Sequence, residues 1–217
     1  MKFEFIYEPV PLIIIRDIFT KKENKEIFAE AVKNKKMFVE ASIGGVSEGK
    51  KTDFRNNKVA FYDSLYNNDR SKSKLLSKLD VLFSTPEFIE PIGSSSYPIN
   101  KFSQSNYHET QVSRYGDEGQ LYKYHIDAFD NNKRQVTMVY YFNEEPKKYK
   151  GGEILFTKSP IYKGQPMDKR EKPLIITPEN NMAVIFGAKT AHMVRDTKSP
   201  KTFSKGRFSM NCWIGIK

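Results

Sequence analysis

A chain of 217 residues holds one sizeable domain or at most two small ones, and 38% hydrophobic with 13% aromatic residues is enough for a real core. The formal net charge of +10 comes mostly from lysines scattered along the sequence, which reads as a solvated surface. No arginine-rich run, zinc-finger spacing or RNP-like aromatic motif argues for nucleic acid, and the single Cys212 excludes an intramolecular disulfide and a cysteine-based zinc site.

At the N-terminus, Pro9-Val-Pro-Leu-Ile-Ile-Ile15 is interrupted by Pro11 and stopped by Arg16 and Asp17. It fits neither a secretory signal nor a membrane span, and with one cysteine the expectation is a cytosolic protein. Leu12–Ile15 is apolar and β-branched and reads as an early buried strand. Thr20-x-x-Glu23 has the form of a capping box, behind which Ile27, Phe28, Ala31 and Val32 share one helix face. A polar region with Gly44-Gly45, Gly49 and Arg55-Asn-Asn57 reads as a loop or hairpin, and Val59–Tyr62 as a short strand. Leu75, Leu76, Leu79, Leu82 and Phe83 predict a second helix over 71–83. Pro86 and Pro91, followed by Gly93-Ser-Ser-Ser96, are expected to break regular structure.

From about Ser105 the texture changes to short strands separated by Gly, Pro, Asn and Asp. The candidates are Val112–Tyr115, Tyr122–Asp127, Gln135–Phe142, Gly152–Phe156, Leu174–Thr177, Met182–Phe186 and Arg207–Ile216. Many short strands with turn signals point to a sandwich, barrel or jelly roll. The fold class is α+β, with the helical first third packed on one outer sheet face.

Two positions apart on an extended strand, His125 and Asp127 point to the same side and present an imidazole beside a carboxylate. Alone the pair occurs by chance in many proteins. His192, following the buried run Met182–Phe186, supplies a third donor from far downstream. Two histidines and one carboxylate on one side of an ion, with the opposite positions open, describe the facial triad of non-heme Fe(II) oxygenases. His108 has no acidic residue at i+2 and is assigned a structural or exposed place.

Beyond these residues lies an ordered set of blocks: Tyr115-Gly-x-x-Gly-x-x-Tyr122-x-x-His125-x-Asp127, Arg134-x-x-Thr137-x-x-Tyr-Tyr-Phe-Asn143 and Gly151-Gly-Glu-x-Leu-Phe156. Pro178-x-Asn-x-Met-Ala-Val-Ile-Phe186, His192-x-Val194 and Gly206-Arg-Phe-Ser-Met-Asn-x-Trp213 follow. In this order they resemble the prolyl 4-hydroxylase-like branch of the Fe(II)/2-oxoglutarate-dependent dioxygenases, over roughly residues 112–216. The resemblance implies a double-stranded β-helix (jelly-roll, cupin-like) core over 105–217, supported by 1–104, in one domain. It implies Fe(II) held by His125, Asp127 and His192, with 2-oxoglutarate as co-substrate, O2, and ascorbate as reductant.

For the far carboxylate of 2-oxoglutarate the resemblance points to Arg207, with Lys205 of the same strand parity as the alternative; a guanidinium holds a carboxylate bidentately and stays charged when buried. Ser209 shares the face of Arg207, Tyr115 and Tyr141 are carried over as co-substrate residues, and Thr137, on the same strand face as Tyr141, is expected to join them in the cavity. Arg134 and Trp213 are substrate candidates. Asp127 favours hydroxylation over halogenation. The implied reaction hydroxylates an unactivated C–H bond, foremost a prolyl residue in a peptide or protein, releasing succinate and carbon dioxide. A free amino acid or other small molecule is the runner-up, and a non-catalytic jelly-roll binding module the third reading.

Loops at the cavity mouth, Gly44–Asn57, Asp127–Arg134 and Lys158–Lys172, should carry substrate choice, the last as a mobile lid. Gly151-Gly152 reads as a hairpin turn required by backbone geometry, and Cys212 should face away from the cavity.

Overall fold

The computed structural model describes residues 1–42, 53–116, 119–128 and 133–216. Strands β1 (Lys2–Ile6) and β2 (Leu12–Arg16) open the chain, followed by α1 (Lys21–Lys33), β3 (Val39–Glu40), β4 (Lys58–Phe61), one-turn α2 (Tyr62–Leu65), α3 (Lys74–Leu82) and α4 (Pro86–Gly93). The strand-rich remainder runs β5 (Tyr107–Tyr115), β6 (Gln120–His125), β7 (Arg134–Phe142), β8 (Lys150–Gly151), β9 (Ile154–Thr157), β10 (Ile161–Tyr162) and β11 (Gln165–Pro166). It ends with β12 (Leu174–Ile176), β13 (Met182–Gly187), β14 (Ala191–Lys198) and β15 (Arg207–Gly215).

Eight strands form the larger sheet, in the order β1-β2-β13-β7-β15-β5-β4-β3. The smaller sheet runs β12-β9-β14-β6, with β8 beside β14. Neighbouring strands are antiparallel, and the two sheets enclose a cavity as in a jelly roll. The first four strands all join the larger sheet, so the N-terminal third contributes strands as well as helices.

The run Leu12–Ile15 is apolar at every position because both faces of the larger sheet are covered. Leu12 and Ile14 pack inward with Val139, Tyr141, Val184 and Phe186, while Ile13 and Ile15 pack outward under the helices. The same alternation divides β7 and β15. Val136, Met138 and Tyr140 face the helices while Thr137, Val139 and Tyr141 face the other way, and Phe208, Met210 and Cys212 alternate with Arg207, Ser209 and Asn211. Cys212 thus lies in the helix-side core, and burial pushes its thiol up to about 12.

Helix α1 begins at the expected capping box: Thr20 Oγ1 accepts from the Glu23 N–H, and the Glu23 carboxylate accepts from the Thr20 N–H. The second helix is α3, capped by Ser73, whose hydroxyl accepts from Leu76 N–H. Position 86 opens a helix instead of breaking one. Pro86 sits in the first turn of α4, where its fixed φ suits the helix and its missing N–H has no intrahelical partner to lose. Burial of Phe88 and Ile92 holds α4 together although Pro91 lies within it.

One buried carboxylate ties α1 to α3. Glu30 accepts from the backbone N–H groups of Lys74 (3.2 Å) and Leu75 (2.9 Å) and from the Tyr66 hydroxyl (2.5 Å). It satisfies first-turn donors of another helix and sets a negative charge against that helix's positive end. Glu30→Ala is expected to cost about 2–3 kcal/mol, read as a lower urea midpoint with an unchanged slope.

Candidate metal centre

Strand β6 ends at His125, and the chain turns so that the backbone N–H groups of Asp127 and Ala128 both donate to Ala188 O, at 2.9 and 3.0 Å. That turn lays the Asp127 side chain against His192, which β14 brings alongside in direct register with His125. Donor atoms of the three side chains all lie within 4.8 Å of one another. Asp127 Oδ1 is 3.7 Å from His125 Nε2, and Oδ2 is 3.6 Å from His192 Nε2.

Both imidazoles are held by the nitrogen facing away from the carboxylate. His125 Nδ1 lies 2.9 Å from Lys123 O, and His192 Nδ1 lies 2.9 Å from Thr190 O. A carbonyl only accepts, so each Nδ1 carries a proton, and each Nε2 is left facing Asp127. Burial, then the neighbouring His192 ring, holds the His125 pKa well below the usual imidazole value, which keeps the ring in its neutral, ligating form. Tyr122 stacks on His125 with centroids 3.5 Å apart, and Phe186 meets the His192 ring edge-on at 4.7 Å. Thr137 donates to Asp127 Oδ2 at 2.8 Å, and Arg134 donates to Asp127 O at 3.1 Å. A set of two imidazole nitrogens and one carboxylate suits a ferrous ion.

The cavity beside these donors is lined by Tyr115, Tyr141, Ser209 and Asn211, with Arg207 in its wall. Arg207 is 1% exposed, and among the described residues no carboxylate pairs with it. Its Nε donates to Gly152 O (2.8 Å) and its Nη1 to Ser209 Oγ (3.3 Å), while the rings of Tyr115 and Tyr141 lie 4.9 and 5.0 Å from its Cζ. The Tyr141 hydroxyl is buried beside this guanidinium. A buried cation with no carboxylate beside it among the described residues fits a ligand carboxylate such as the far end of 2-oxoglutarate. Lys205, the alternative anchor, is partly exposed in the short turn Phe203–Lys205 and does not line the cavity.

Gly152 does more than turn the chain. Its φ of +72° belongs to the left-handed region, and a Cβ there would lie 2.5 Å from Arg207 Cδ and 2.8 Å from Nε. Gly152→Ala is therefore expected to displace the arginine and weaken 2-oxoglutarate binding by about tenfold or more, with metal content unchanged. Titration of the metal-loaded protein with 2-oxoglutarate measures this.

The substrate candidates lie together near Asp127. Arg134 pairs with Glu109 at 2.9 Å, and its Cζ lies 3.8 Å from the centre of the Trp213 ring. Arg55, expected only in a loop or hairpin, lines the cavity. Its guanidinium lies over Tyr122 at 4.4 Å and donates to Gln111 Oε1 at 2.9 Å. Its near partner Asn57 gives no hint of the cavity, and Gln111 and Tyr122, which place it there, stand more than fifty positions away. His108 packs on Phe83 at 4.9 Å, away from the cavity.

Of the three expected mouth loops, positions 44–52 of the first and 129–132 of the second lie outside the described residues. The 158–172 segment carries the β10–β11 hairpin. Glu171 ties its base, accepting from Thr157 Oγ1 and from the N–H groups of Lys158 and Ser159, each at 2.8 Å. A Cβ on Gly164, in the turn of that hairpin, would lie 2.6 Å from the Phe54 ring, so this tip packs closely on its neighbour.

Residues 110–215 match the 2OG-Fe(II) oxygenase superfamily. A relative from Synechocystis sp., described as an uncharacterized PKHD-type hydroxylase, is 28% identical over 222 residues. The match covers 99% of this chain, which spans 66% of the length of that curated relative. A prolyl hydroxylase from Trichoplax adhaerens, solved with a hypoxia inducible factor oxygen degradation domain peptide, superposes with a TM-score of 0.65 at 16% identity, covering 94% of this chain and 83% of its own. A Pseudomonas putida prolyl-4-hydroxylase gives 0.64 at 16% identity, covering 94% and 92%. At these identities the two structures speak for the fold.

Proposed function

We propose that this chain, whose residues 110–215 match the 2OG-Fe(II) oxygenase superfamily, is a hydroxylase that acts on a prolyl residue of a peptide or protein. The observation that carries this reading is one cavity lined by His125, His192 and a buried Arg207, with Asp127 within 4.8 Å of both histidines. When bound there, ferrous iron with 2-oxoglutarate and dioxygen supplies the oxidising power to convert an unactivated C–H into C–OH, with succinate and carbon dioxide as co-products.

The chain's own work is to hold and orient. His125, Asp127 and His192 would hold the metal on one side, and Arg207 with Ser209 would hold the far carboxylate of the co-substrate. Lys123 O and Thr190 O fix the two imidazoles, and Thr137 fixes the carboxylate. Phe156 and Phe186, both fully buried beside His192, exclude water from one flank. Arg134 and Trp213 stack near Asp127, where they would position substrate. The peptide in the Trichoplax complex supports a peptide as substrate class.

The test has two steps. Purified protein with Fe(II), ascorbate and 2-oxoglutarate should release succinate, slowly even without substrate. A peptide library incubated with the enzyme should then show one added oxygen on proline by mass spectrometry. Oxygen added only to free amino acids would replace the peptide assignment, and absence of succinate under all conditions would end the oxygenase reading.

A further inference from the structure

Strand β4 stops short of its partner. Its pairing with β5 ends at Phe61 opposite Gln111, where the chain turns into α2, and among the described residues no strand covers that side of Tyr107–Thr110. Asp63 takes up one donor of the open edge: its Oδ2 accepts from Thr110 N–H at 2.6 Å. In an antiparallel ladder the N–H and C=O of one residue point to the same side and alternate along the strand. His108, two positions from Thr110, therefore turns both groups to this edge and away from β15. An uncovered edge of this kind accepts an extended peptide as an added strand.

Beside the edge lies a groove of about 450 Å³ walled by Phe61, Asp63, Arg70, Tyr107 and Glu109. No described lysine lines it, on a chain with a net charge of +10. Arg70 is held between Asp63 and Asp80, and Glu109 pairs with Arg134 at 2.9 Å, so three carboxylates stand against two guanidinium groups. The Tyr107 hydroxyl donates to Glu109 at 2.9 Å. Its pKa is raised by burial first and then by Glu109, with Asp63 adding to the rise, so both carboxylates lie near this ring. Phe61, 44% exposed, offers a second aromatic face at the rim. Aromatic faces beside surplus negative charge suit an ammonium or guanidinium carried on a long apolar stem.

The sheet also sets a distance. Glu109, Trp213 and Thr137 are direct neighbours across β5, β15 and β7, and Thr137 donates to Asp127. Two strand spacings separate Glu109 from Thr137, about 10 Å, which an extended peptide covers in about three residues. We propose that the substrate peptide lays one arm along the open edge of β5 and sets a lysine or arginine side chain, about three residues from the hydroxylated proline, in the groove beside Asp63 and Glu109. This rests on the prolyl hydroxylase reading above and names the neighbour by which a proline is selected.

The experiment compares prolyl peptides that differ at one position, two to four residues to either side of proline, and carry lysine, its uncharged isostere norleucine, or glutamate there. Hydroxylation with Fe(II), 2-oxoglutarate and ascorbate, followed by mass spectrometry, gives kcat/KM for each. At one of these positions lysine should exceed norleucine by about tenfold, and glutamate by more. Phe61→Lys places a cation at the exposed rim and should reverse the order of the lysine and glutamate peptides. A ratio of two peptides within one variant does not depend on how much of the protein is folded. Equal or glutamate-favouring values at every position in wild type, or a lysine preference that persists in Phe61→Lys, would overturn the groove alone. Failure of every prolyl peptide to gain oxygen would overturn the prolyl reading together with the groove.

Discussion

Asp127→Ala is expected to lower 2-oxoglutarate-dependent succinate release by about a thousandfold or more and to abolish stoichiometric iron binding. Asp127 lies between the two imidazoles, one oxygen 3.7 Å from His125 Nε2 and the other 3.6 Å from His192 Nε2. Without it, two neutral nitrogens face an ion with no charge to balance it, and the Thr137 hydroxyl loses its acceptor. The turn itself should survive, since Ala188 O receives backbone donors at 127 and 128 whatever the side chain. Metal analysis and a succinate assay on protein with a wild-type melting curve measure the effect. Undiminished release would show that the reaction centre lies elsewhere.

Arg207→Met separates binding from folding. Removing one member of a buried, hydrogen-bonded charge pair costs about 2–5 kcal/mol, so the KM for 2-oxoglutarate should rise by roughly a hundredfold or more. The ligand-free protein should melt no lower than wild type, because the variant relieves a buried charge that has no anionic partner among the described residues. Arg207→Lys should recover only part of the affinity. An ammonium cannot reproduce the planar group that lies between Tyr115 and Tyr141 while its Nε donates to Gly152 O. Unchanged KM in both variants would remove Arg207 from the co-substrate site.

What the sequence made legible follows local rules. The i, i+2 spacing brought out His125 with Asp127, and once the family resemblance had pointed to Arg207, strand parity added Ser209. The capping box at Thr20 and the leucine spacing of α3 located two helices. Where a tertiary effect overrides a local signal, the reading fails. Pro91 points away from a helix, yet α4 forms because Phe88 and Ile92 are buried against the sheet. Strand β14 escaped notice because its pairing with β6 shifts register between Val194 and Thr197, which breaks the alternation by which strands are recognised. Arg55 was invisible as a cavity residue, since only pairing with Tyr122 across the fold gives it meaning. Gly152 was read as a turn, and its second role requires knowing that Arg207 lies against it.

The larger sheet separates two sets of side chains that share no member: the helix-side core, which includes Ile13, Leu79, Phe88 and Ile214, and the residues lining the metal cavity. Demetallation should therefore cost the protein its chemistry and not its shape. Unlike small zinc modules that unravel on chelation, this chain should keep its far-UV spectrum and cooperative melt in EDTA. Buffer exchange and fresh ferrous salt should then return it to work, with no refolding step between.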